Sequence, residues 1–185
     1  MEVMVKVLEA FTYVADHSII HRNIKPPNIL IDLDSEGTNH TVSVVGWGEA
    51  KFLEKNGHRE GREYVPAEGS FPFAAPEVYL LGYENCNLSA DVWAFGATLA
   101  KVSADIILVH DFEMKNHFRE DNPTLFYEYL RNVFEDGRHI RLQLDLSKIS
   151  GNFTKALILD ALRFNPLERP TMAEMLQEVR NFLVD

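Results

Sequence analysis

The stretch His21-Arg22-Asn23-Ile24-Lys25-Pro26-Pro27-Asn28, followed at once by Ile29-Leu30-Ile31, decides how this chain is read. It places two cations and two amides in eight residues, immediately before an apolar run. Proline fixes φ and removes a backbone donor, so Pro26 and Pro27 argue against helix and push Lys25 toward an extended conformation. Arg22, Asn23, Lys25 and Asn28 are therefore expected on a rigid loop, and loops held by a scaffold are where chemistry concentrates. Taken alone, the same residues also describe a plain polar turn between a helix and a strand.

Upstream, Met4, Val7, Leu8, Phe11 and Val14 recur at three- and four-residue steps, which predicts one buried face of an amphipathic helix over Glu2 to Asp16. Downstream, Ile29 to Ile31 reads as a strand. The polar tract 32–40 connects it to Val42-Ser43-Val44-Val45 in a short two-stranded ribbon that brackets the loop. Residues 46–73 show no sustained period and read as a long surface loop. Ser89 is placed to cap a helix through Asp91, Val92, Trp93, Phe95, Leu99 and Val102, apolar nearly all round and hence the central post of the core. Asn122-Pro123 opens a further helix up to Gly137, and another spans roughly 153–164. Thr171 with Glu174 forms a capping box for the last helix, with Met172, Met175, Leu176, Val179 and Leu183 inside.

The 185 residues suffice for one well-filled core, so one domain over 1–185 is expected. An apolar fraction of 46% and a charged fraction of 25% are those of a soluble globular protein. No apolar run approaches the roughly 18 residues of a membrane span, and the N-terminus reads as helix rather than as a secretory signal. A net charge of −10 argues against nucleic acid as a partner. The single cysteine, Cys86, fits a reducing, cytoplasmic setting and lacks a nearby base in sequence. Three glycosylation-like triplets, beginning at Asn39, Asn87 and Asn152, are then chance matches. The histidines show no metal-ligand spacing.

Further landmarks follow the loop in a fixed order. They are Gly46-Trp47-Gly48 after the ribbon, Gly69-Ser70-Phe71-Pro72-Phe73-Ala74-Ala75-Pro76-Glu77, Ser89-Ala90-Asp91-Val92-Trp93-Ala94-Phe95-Gly96, and Asn165-Pro166-Leu167-Glu168-Arg169-Pro170-Thr171. Together with His21 to Asn28 they resemble, in order and spacing, the eukaryotic protein kinase family and specifically its C-terminal lobe. The motifs are those of H-R-D-[LI]-K-x-x-N, D-F-G, the A-P-E end of an activation segment, D-V-W-S-F-G and N-P-x-x-R-P-T. The Lys25-Pro26-Pro27-Asn28 pattern is closer to serine/threonine than to tyrosine kinases. The resemblance implies a mainly α, protein-kinase-like C-terminal lobe with a small β ribbon. No N-lobe motif precedes it.

The resemblance also assigns roles. Asn23 stands at the position of the catalytic base, Lys25 where a lysine steadies the transferring phosphate, and Asn28 where an asparagine binds magnesium. Gly46 stands where an aspartate bridges metal to nucleotide. Glu77 and Arg169 are expected to form a buried ion pair, and Asp91 to accept hydrogen bonds from the backbone at His21 and Arg22. His21 is expected to support packing, and Trp93 and Phe95 to fill the core. Arg22 implies an acidic or phosphorylated partner: Tyr64 and Ser70 are the local hydroxyls open to modification, and Glu60, Glu63 and Glu68 are permanent acids. ATP and magnesium are implied by the family alone. For this chain no cofactor is expected, because an amide cannot take a proton as a carboxylate does and glycine offers no ligand.

Three functional expectations remain open at this point. The first is an inactive, pseudokinase-like scaffold that binds a protein partner, namely a kinase, a kinase substrate or a regulator. The second is the C-terminal part of an ATP-dependent serine/threonine kinase, and the third is a decaying gene copy without a molecular role.

Overall fold

The computed structural model describes residues 1–36, 40–53, 71–80, 87–106, 108 and 146–184. The helix expected over 122–137, Cys86, Tyr64, Ser70 and the acids Glu60, Glu63 and Glu68 lie outside them. Helix α1 runs Glu2–Asp16 and buries Val7, Leu8 and Phe11 on the face that its periodicity set. It leads to β1 (Ile19–Ile20), then the loop, then β2 (Ile29–Leu33) and β3 (His40–Val44), a 3₁₀ turn at Trp47–Glu49 and β4 (Lys51–Phe52). After a 3₁₀ turn at Phe71–Phe73 come α2 (Pro76–Leu80), α3 (Leu88–Ala104), α4 (Asn152–Ala161) and α5 (Met172–Val184). The fold is mainly α, as the sequence implied.

Strands β2 and β3 form the expected antiparallel ribbon, with Ile29 opposite Val44 and Leu33 opposite His40. A second ribbon was not foreseen. Strands β1 and β4 pair antiparallel, Ile19 with Phe52 and Ile20 with Lys51, and β4 falls inside the tract 46–73 that the sequence suggested was loop alone. Two-residue strands carry too little alternation to register as a period.

Helix α3 is the central post, continuously buried from Ala90 to Ala100. It packs on α4, where the backbone of Gly96 comes so close that a Cβ added there would sit 2.6 Å from the Ala161 Cβ. Helix α1 lies against α5. Three details correct the sequence reading. The α3 cap is Asn87, whose side chain accepts from the Ser89 amide at 3.0 Å, and the helix begins at Leu88. Val102 and Leu183, expected inside, are exposed. Pro26 and Pro27 also lie within a helical turn, a single 3₁₀ turn at Pro26–Asn28, because a first turn needs no N–H from them. Lys25 before it is extended, at φ −162° and ψ 161°.

The capping box at α5 closes in both directions. The Glu174 carboxylate accepts from the Thr171 amide at 2.7 Å, and the Thr171 hydroxyl accepts from the Glu174 amide at 3.2 Å. Among the described residues no helix is long and apolar enough to cross a membrane.

Candidate functional site

The loop is anchored from below by α3. Asp91, in the first turn of that helix, accepts from the backbone N–H of His21 at 2.7 Å and of Arg22 at 2.8 Å. The two bonds have a conformational consequence. Arg22 sits in the left-handed region at φ 63°, which costs an L-residue with a side chain about 1–2 kcal/mol. A charge-assisted pair of acceptor bonds is what holds it there. Burial pushes the Asp91 carboxyl up to about 6 from an ordinary 3.8, against the pull of the His21 and Arg22 amides and the Arg22 charge.

His21 is fully buried. Its Nδ1 accepts from the Asn23 amide at 3.2 Å, so the ring proton lies on Nε2, which donates to the Val45 carbonyl at 3.1 Å. This is the neutral tautomer, and burial accordingly lowers the pKa of the ring, with the Val45 carbonyl acting in the opposite sense. Phe11 and Trp47 meet the imidazole edge-on, at 5.9 and 4.4 Å between centroids. His21 therefore supports the loop and has both nitrogens committed.

At the centre of the loop, Asn28 donates its side-chain N–H to the Asn23 carbonyl at 2.7 Å, and its own carbonyl accepts from Val45 at 2.9 Å. Gly46 follows in the left-handed conformation, φ 82°. A Cβ built on Gly46 would stand 2.5–2.8 Å from the Asn28 amide atoms, so that amide fills the space a side chain would take. Asn23, Lys25, Asn28 and Gly46 are thus brought onto one loop and the turn beside it.

This donor set does not suit magnesium. A hard divalent cation prefers charged oxygen ligands, and here one neutral amide oxygen stands beside a residue without a side chain. Among the described residues no group of three or more His, Cys, Asp or Glu could hold a metal ion.

Arg22 meets a partner that the sequence reading missed. Its Nε donates to the Glu49 carbonyl, and its NH2 stands 3.9 Å from the Glu49 carboxylate. Glu49 lies in a tract without period, and only the β1–β4 pairing brings it near Arg22. Arg169 holds Glu77 in a two-armed pair at 2.6 and 2.8 Å. The same guanidinium donates to the carbonyls of Arg163, Ser89 and Phe164, and stacks 5.0 Å over the Trp93 ring.

The family model described as "Protein kinase domain" matches residues 1–179. Over 178 residues the chain is 31% identical to the calcium/calmodulin-dependent protein kinase cmkA of Emericella nidulans, covering 93% of this chain and 36% of that protein. It is 28% identical over 176 residues to the serine/threonine-protein kinase PKH2 of Candida albicans, covering 92% of this chain and 16% of that one. A shorter match, 29% over 102 residues, joins it to the serine/threonine-protein kinase PKH3 of Saccharomyces cerevisiae. The chain thus spans about a third or less of the length of these curated relatives. On the loop geometry, the anchoring carboxylate of α3 and a family match over nearly its whole length, this chain belongs to the protein kinase domain family.

Proposed function

We propose that this polypeptide is a pseudokinase-type, C-lobe-like module that acts by binding a protein partner and transfers no phosphate. One observation carries the reading: the place where a metal-bridging carboxylate is needed is Gly46, with the Asn28 amide packed into the side-chain space. Asn23 at the base position supports it, since its amide orients a hydroxyl without accepting the proton. Losing either contribution lowers a phosphoryl-transfer rate by about 10²-fold or more, and two defects in one reaction do not simply add. Lys25 sits half-buried on the same loop.

Exposed Leu30, Ile31 and Leu33 on β2, beside an apolar groove of about 310 Å³ between α1, β2 and α3, favour work done by contact. The partner class is a protein: a kinase, a kinase substrate or a regulator. Nucleic acid and membrane are not partners in this reading, the setting is cytoplasmic, and Tyr64 and Ser70 are open to modification.

The test is a thermal-shift titration with ATP, with and without magnesium, because a ligand that binds only the folded state raises the melting temperature with occupancy. No shift is expected. A saturable shift together with transfer of radiolabelled phosphate that requires Lys25 would overturn the reading.

The relatives favour a second reading, in which these residues are the C-terminal part of a longer ATP-dependent serine/threonine kinase. A G-x-G-x-x-G turn and a V-A-x-K strand encoded in frame upstream of Met1 would select it.

A further inference from the structure

The β1–β4 ladder has a register that reaches beyond its two strands. Ile19 lies opposite Phe52 and Ile20 opposite Lys51. One step outward, the Leu53 amide donates to the Ser18 carbonyl at 2.6 Å. Two residues inward from Ile20, the same register sets Arg22 against Glu49, and there the guanidinium takes both the carbonyl and the carboxylate of Glu49. The ribbon is therefore closed at its inner end by an ion pair.

The two partners differ in freedom. The Arg22 side chain is 9% exposed and its backbone is held by Asp91, whereas the Glu49 side chain is 32% exposed on a 3₁₀ turn that follows Gly46 and contains Gly48. At 3.9 Å the carboxylate is attracted by charge without the short contact of a full hydrogen bond. Such a contact is sensitive to competing ions, because one of its two ends reaches water. A two-residue ladder on its own is marginal, so the closing pair decides how long it stays formed.

We propose that the Glu49 carboxylate is an electrostatic latch, holding the segment Ala50–Leu53 against the fixed Arg22 and letting it go when ions compete for the guanidinium. The latch makes the approach to the Asn23–Asn28 loop from the β4 side depend on ionic conditions. It holds whether or not the loop transfers phosphate, so it stands apart from the binding reading above.

The test is native-state hydrogen exchange of the Leu53 amide in the wild type and in Glu49→Gln, at about 20 mM and about 500 mM NaCl, with the Ala97 amide in α3 as reference. In the wild type, high salt is expected to speed Leu53 exchange about 3-fold and leave Ala97 unchanged. Glu49→Gln is expected to exchange about 3-fold faster at low salt and to lose the salt dependence. Three results would each overturn the latch: wild-type exchange indifferent to salt, a Glu49→Gln rate equal to wild type, or an acceleration shared by Ala97. The wild-type salt series decides the matter alone if the variant fails to fold.

Discussion

Two parts of this molecule have treated their acidic residues in opposite ways. Beneath the loop, Asp91 and Glu77 are buried carboxylates with their oxygens bonded, one to two backbone amides and the other to a guanidinium. At the loop itself stand Asn23, Asn28 and Gly46, with no carboxylate among them. The contrast follows from what each place asks of a charge. A buried carboxylate with committed partners cannot be removed without stranding those partners, whereas a carboxylate that faces a substrate leaves no orphan inside the fold when it is lost. Folding therefore guards the first group and is indifferent to the second.

The largest effect is expected where that guard is strictest. Glu77→Gln keeps the shape and strands the Arg169 charge, and it should cost about 3–5 kcal/mol in urea denaturation. A loss below about 1 kcal/mol would place Glu77 among the dispensable acids and erase the contrast. Asp91→Asn comes next. The amide N–H it introduces would face the His21 or Arg22 N–H, and the expected cost is about 1–3 kcal/mol.

The same variant sharpens the comparison through pH. Because burial raises the folded Asp91 carboxyl to about 6 from 3.8, the native state holds this proton more tightly between those values. This group's contribution then declines as pH rises from about 4 to about 6, and it is fully present only below that window. His21 works in the other direction. Its folded pKa lies below 6.5, so its contribution is present above 6.5 and is lost as pH falls. Across pH 4–6 the wild type should lose stability relative to Asp91→Asn, in denaturant titrations run at several pH values. Parallel curves would show that the carboxyl titrates as an ordinary one.

The smallest effect is expected at Gly46. Gly46→Ala adds a Cβ at φ 82° and against the Asn28 amide, at an expected cost of about 1–2 kcal/mol. A stabilising or neutral outcome, read from the melting temperature, would mean that the space beside Asn28 is open to a side chain.

Much of this was legible in the residues because it is local or strongly periodic. The α1 face, the apolar α3 and the Thr171–Glu174 box each follow from spacing within one segment. The Asp91 and Arg169 contacts span sequence separations of 70 and 92 residues, and only the likeness of ordered motifs to a family pointed to them. Glu49 was out of reach on both counts. Its meeting with Arg22 depends on a two-residue ladder whose strands, taken singly, look like loop. Asn87 took the cap from Ser89 because its side-chain oxygen reaches the amide two residues on, a choice between neighbours that composition cannot make.

Arg169 has a last implication. Each of its five N–H groups already has an acceptor: two oxygens of Glu77 and the carbonyls of Arg163, Ser89 and Phe164. A saturated guanidinium has nothing to offer a newcomer, so this cation is closed to recruitment by any anion the protein meets. Lysine at 169 would match the charge but supply three donors from a point instead of five from a plane. It would leave at least two acceptors dry inside the fold and take the flat face away from Trp93.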